Sequence, residues 1–139
     1  LPPGVTITGR DGYVRKFFRT KFWADNPKTY ADVVFQPDPL PEDVARRELT
    51  DNERGQLCSY PASAPPVFVG HYWMEGEPAP LKHNVACIDF SAVKYGKLVA
   101  YRLDNEQHLS RDKFVWVDVE RPERSDYPDY PASEDSIAR

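Results

Sequence analysis

Three histidines and two cysteines bound the chemistry open to this chain. His71 stands in Gly70-His71-Tyr72-Trp73, directly after the compact apolar run Pro-Val-Phe-Val at 66–69. A neutral imidazole is a common ligand for Zn, Fe and Mn, and a loop leaving the end of a strand can aim it at a metal while the sheet fixes the backbone. Taken alone, the tetrapeptide reads first as a capped or surface histidine beside two aromatics. His83 and His108 read as solvated or hydrogen-bonding residues, and the three histidines lack the tight spacing of a zinc finger. Cys58 and Cys87 cannot form a zinc ribbon, and Cys87 lies in an apolar run where a thiol behaves as a small hydrophobe. Whether the two pair depends on a separation of about 4.4–6.8 Å between their alpha carbons. A second stretch with chemical potential is 15–23, where Arg15, Lys16, Arg19 and Lys21 alternate with Phe17, Phe18, Phe22 and Trp23. Such a pattern can bind phosphate or stack bases. On a strand it more often gives one buried and one solvated face, and that reading is preferred here.

Composition narrows the partners. With 18 basic against 22 acidic residues, the net charge of −4 argues against a protein whose affinity comes from the nucleic-acid backbone. No apolar run approaches the roughly 20 residues that span a bilayer, and the first residues lack the order of a signal peptide. Sparse cysteine use fits a reducing compartment, so the expectation is a soluble, cytoplasmic protein without nucleic-acid or membrane partners. At 139 residues and 40% hydrophobic, the chain can bury one modest core. Leu1-Pro2-Pro3-Gly4 has no initiator methionine and leads at once into strand-like sequence, which reads as an internal segment of a longer protein.

The elements that must position these residues follow from pattern. Val5 to Phe18 reads as a hairpin about Asp11-Gly12. Asp25-Asn26-Pro27 supplies a turn and cap for a short helix from Lys28 to about Val34, and 42–49 offers a second after Pro41. Residues 50–66 are polar with several prolines, so they should run over the surface as a connection between subdomains. Strands are expected at 66–69, 84–90, 97–103 and 113–119, arranged antiparallel with short turns. After Glu120 the chain is charged and proline-rich, and reads as a flexible tail. The resulting division is 1–64 (hairpin, short helices and connecting loop), 65–119 (β-rich segment) and 120–139 (tail).

Two segments, PPVFVGHYW at 65–73 and NVACIDFSAVKYGKLVAYRLDNE at 84–106, resemble the closing segment of calcineurin-like metallophosphoesterases. The likeness is to bacterial members similar to phosphoprotein phosphatases and diadenosine-tetraphosphate hydrolases. It implies an α+β unit, the β-rich C-terminal portion of a four-layer α/β/β/α sandwich. It puts His71 in the place of the last metal-binding histidine, with Asn84 to Asp89 on the following strand. Many members carry Gly-His-x-His, and Trp73 occupies the second histidine position here; phosphoprotein-phosphatase-like members also lack that histidine. Tyr72 and Trp73 would form a wall of the substrate site or pack on adjacent strands.

The family's Gly-Asp-x-His, Gly-Asp-x-x-Asp-Arg-Gly and Gly-Asn-His-Glu segments, which supply most metal ligands and the general acid, are absent from these residues. The resemblance therefore implies a fragment of an enzyme that hydrolyses phosphate esters or anhydrides at a dinuclear centre of Mn, Fe or Zn. No catalytic residue lies in the fragment, and it should be inactive without an N-terminal half. Partners would be that missing half or a second copy joined through exposed strands. The alternative is a non-enzymatic β-rich binding or interaction module using the face near 15–23.

Overall fold

Short runs of β-formers, repeatedly interrupted by proline, glycine and asparagine, give this chain many small elements. The computed structural model describes residues 1–2, 4–8, 12–35 and 40–121, and the chain forms two compact units, 1–57 and 58–121. Strands and helices are mixed in an α+β arrangement.

In the first unit, β1 (Ile7–Thr8) pairs antiparallel with β2 (Val14–Arg15), the expected hairpin, though residues 9–11 of its turn lie outside the described residues. β3 (Arg19–Thr20) pairs antiparallel with β4 (Val34–Phe35), which directly follows helix α1 (Tyr30–Val33). The cap of α1 is not Asp25 or Asn26: the Asp32 carboxylate turns back to accept the amides of Lys28 and Thr29 at 2.9 and 2.8 Å. Those amides otherwise have no helical acceptor.

Helix α2 (Glu42–Ala45) stops four residues before the expected Leu49. The Tyr30 amide donates to the Arg47 carbonyl at 3.0 Å, and the Leu49 amide to the Lys28 carbonyl at 2.8 Å. Leaving the helix lets Leu49 join Tyr30, Val33 and Val34 in a core flanked by Leu1, Phe18, Leu40 and Leu57. In the basic and aromatic stretch Phe18 thus turns inward, Phe22, Trp23 and Phe35 make edge contacts, and Phe17 is 87% exposed. The expected surface connection, 50–66, has no buried residue and contains a third helix, α3 (Asp51–Gly55). Thr50 and Glu53 close it reciprocally, each side chain bonding the other residue's amide.

The second unit departs from an all-antiparallel plan. β5 (Val67–Val69) and β6 (Val85–Cys87) pair in parallel, with Val67 opposite Val85 and Val69 opposite Cys87. Parallel pairing needs a long connection, and residues 70–84 provide one. The expected single strand 84–90 breaks at Ile88: β6 stays with β5, while β7 (Asp89–Phe90) passes to a second sheet. That sheet is antiparallel, in the order β7, β8 (Lys97–Tyr101), β9 (Phe114–Asp118). Its inner face contributes Phe90, Val99 and Phe114 to a core completed by Ala86 and Leu109 and flanked by Phe68, Met74, Tyr101 and Trp116. Its outer face carries Leu98, Val115 and Val117, which are 62%, 46% and 60% exposed. Cys58 and Cys87 are both free thiols. Among the described residues no helix is long and apolar enough to cross a membrane. The expected tail from 122 onward lies outside the described residues.

Candidate functional site

Parallel pairing brings the carboxyl ends of β5 and β6 to the same side. Two loops meet there: 70–76 after β5, and 91–96 between β7 and β8. Both contain residues in sterically costly backbone conformations. His71 and Trp73 have φ of 66° and 49°; Ser91 and Tyr95 have 58° and 61°. Among the described residues, the other non-glycine positions of this kind are Asn26 and Asn105, a residue type that tolerates left-handed geometry. Each such position costs on the order of 1–3 kcal/mol and persists only where its surroundings over-determine it.

Asp89 supplies much of that determination. Its Oδ2 accepts the His71 amide at 2.7 Å and its Oδ1 the Ser91 amide at 3.0 Å. Its carbonyl accepts the Met74 amide at 2.9 Å. The Ser91 loop is closed by a single 3-10 turn, Ala92–Lys94, and by the Gly96 amide donating to the Ser91 carbonyl at 3.0 Å. Only glycine fits at 96, because a Cβ there would stand 2.1 Å from the Phe90 carbonyl oxygen.

The side chains converge on Trp73. Its ring meets the His71 imidazole edge to face at 5.6 Å, and the Lys94 ammonium stands 4.0 Å from its centroid. Beside this group lies an open cleft of about 560 Å³, with Met74, Phe90 and Trp116 contributing its apolar wall. Glu77, on the cleft, pairs with Arg111, and Lys97 with Asp118.

His71 and Trp73 are exposed and Tyr72 is half-buried. His83 and His108 lie apart from this group in their hydrogen bonding: the His83 Nε2 is 2.9 Å from the Ala62 carbonyl, and the two rings are 4.8 Å apart. Asn84, fully buried just before β6, donates its Nδ2 to the carbonyls of Pro61 and Ala64, both at 2.9 Å. Burial pushes the Cys87 thiol up, which keeps it protonated and unreactive.

As a metal site this arrangement offers one donor, the His71 imidazole. Both Asp89 oxygens accept backbone amides, and no group of three or more His, Cys, Asp and Glu residues that could hold a metal gathers among the described residues. These residues alone do not make a closed metal site. Sequence pattern singles out His71, Tyr72 and Trp73 and places Asp89 only on the strand that follows; it assigns nothing to Ser91, Lys94, Tyr95 or Gly96. Asp-Phe-Ser followed by Tyr-Gly could have signalled a tight turn, whereas its bond to His71 depends on the parallel register.

No protein-family model, curated protein or solved structure matches this chain.

Proposed function

We propose that this chain is the C-terminal part of a calcineurin-like metallophosphoesterase that hydrolyses phosphate esters or anhydrides, with His71 as one ligand of a dinuclear centre. The observation that carries the reading is the His71 turn. A strained imidazole-bearing loop leaves the carboxyl end of a parallel strand and is fixed through its amide by Asp89. Such geometry serves an imidazole that must be held in place, and it has little use for a histidine that only faces water.

Two divalent ions, when bound, would clamp the phosphate and lower the pKa of a coordinated water. The chain's own contribution is the placed imidazole, the Trp73 wall and the Lys94 charge beside it, which suits an anionic substrate. The other ligands would come from a preceding region of the same protein. The exposed outer face of the second sheet supports its origin in a larger, four-layer α/β/β/α sandwich. Two free thiols are in keeping with the cytoplasm.

The test is to read the coding sequence before Leu1 for Gly-Asp-x-His and Gly-Asn-His-Glu, then to assay the joined protein for Mn-dependent hydrolysis of an aryl phosphate. His71→Ala should fold normally and lose turnover by orders of magnitude. His83→Ala and His108→Ala should each change it by less than about tenfold. A folded His71→Ala enzyme with near-normal turnover would remove the claim. In that event the exposed Tyr13 and Phe17 flanking Arg15 and Lys16 would favour a non-enzymatic binding module.

A further inference from the structure

We infer that Asp89 is the positioning residue of this site, one carboxylate that locks the His71 loop and the Ser91–Gly96 loop into a single register. Two of the four strained positions in these loops are bonded to Asp89. His71 and Ser91 both adopt left-handed backbone conformations, and each gives its amide to a different oxygen of Asp89. Hydrogen bonds to a charged acceptor are about twice as strong as neutral ones, so the carboxylate offsets the backbone cost at the residues that incur it.

Asparagine could accept only one of the two amides, because its other terminal atom is itself a donor. The clamp therefore requires an aspartate at this position and not merely a polar residue. Its consequence reaches beyond the backbone, since Trp73 touches both the His71 ring and the Lys94 ammonium. Fixing the two loops together sets the imidazole on one and the cation on the other at a constant separation. The functional half of this inference rests on reading His71 as a metal ligand; the clamp itself does not.

Amide hydrogen exchange on the 139-residue chain tests the clamp. In Asp89→Ala the His71 and Ser91 amides should both exchange at least about tenfold faster, as the loss of one charge-assisted bond each would cause. In the isosteric Asp89→Asn only one of them should. The Met74 amide, bonded to the Asp89 carbonyl, is the internal standard and should stay within about twofold of wild type. Unchanged exchange at His71 and Ser91 in Asp89→Ala would overturn the inference. So would equal loss at Met74 in both variants, since Asp89 would then hold the sheet and not the site.

Millimolar Mn²⁺ added to the same chain supplies a second readout. It should broaden resonances of His71 and reach the Trp73 indole N–H, and His71→Ala should abolish both effects. Asp89→Asn should keep the broadening at His71 but change its ratio to that at Trp73. An unchanged ratio defeats the positioning inference and leaves the metal reading standing. Broadening that survives His71→Ala defeats the metal reading, and with it the functional half of the inference.

Discussion

Replacing Gly96 by alanine should cost the second unit about 2–3 kcal/mol. The added Cβ would lie 2.1 Å from the Phe90 carbonyl oxygen, 3.1 Å from the Ser91 carbonyl oxygen and 3.2 Å from the Phe90 carbonyl carbon. All three are backbone atoms, so no side chain can swing away, and the turn must open by about 1 Å to restore ordinary contact. Gly96 has bonds on both sides: its amide donates to Ser91, and its carbonyl accepts the Val119 amide at 2.8 Å. Opening the turn forfeits one or both, at about 1 kcal/mol net each. Crowding that relaxes only partly adds about 1–3 kcal/mol, and the entropy gained by removing a glycine from the unfolded chain returns about 0.4–1 kcal/mol.

The assay is urea denaturation in a Trp23→Phe background, leaving Trp73 and Trp116 as reporters of residues 58–121. Gly55→Ala is the control, because nothing lies within 4 Å of a Cβ built there in α3. It should be neutral or stabilise by up to about 1 kcal/mol. A loss below about 1 kcal/mol for Gly96→Ala, with unchanged denaturant dependence, would show that the turn yields without cost and refute the reasoning.

Acid should weaken both units. The Tyr30 hydroxyl, then the Thr50 amide and hydroxyl, hold Glu53 at about 2; burial would raise Glu106, but the amides of Glu106 and Asp104, Lys113 and Tyr101 hold it at about 2 as well. Both values lie below that of a free glutamate, so the stabilisation is complete above roughly pH 4.5 and is lost as pH falls toward 2; Glu53→Gln and Glu106→Gln should each flatten the pH profile of their own unit in denaturant titrations. Asn84→Ala removes the buried donor to the Pro61 and Ala64 carbonyls and should cost about 2 kcal/mol, with exchange at the Val67 amide, bonded to the Asn84 carbonyl, rising in step; stability equal to wild type would mean that water replaces the amide freely. The apolar outer face, where Leu98 stands opposite Val117 on the edge strand β9, should drive concentration-dependent association, seen by sedimentation velocity and reduced by Val117→Lys. A monomer at high concentration in both proteins would contradict it.

The strands were legible where their signal was local. Runs of β-branched and aromatic residues mark β8 and β9 to within two residues of their observed ends, because such residues favour strand whichever face they take. The end of helix α2 and the whole of α3 were not, and for opposite reasons. Arg46, Arg47 and Glu48 have good helix propensity, but pairing residues 47–49 against 28–30 buries Leu49 and outweighs it. Helix α3 has no buried residue and therefore no apolar period; its signature is only Thr50 with Glu53 three positions on.

The candidate site shows a sharper division between what sequence can and cannot say. The type of His71, its place after a β-run and the tightness of its loop are local properties and can be read from Gly-His-Tyr-Trp. The partner that fixes it is eighteen residues away along the chain, and the two meet only because β5 and β6 run parallel and β6 then hands the chain across to a second sheet at Ile88. The break at Ile88 leaves Asp89 at the first position of β7, where its carboxylate reaches both loops. Had 84–90 continued as one straight strand beside β5, nothing would have directed the chain across to pair with β8. The departure from regular strand geometry is thus what creates the clamp, and a strand read from a run of β-formers has no means of registering it.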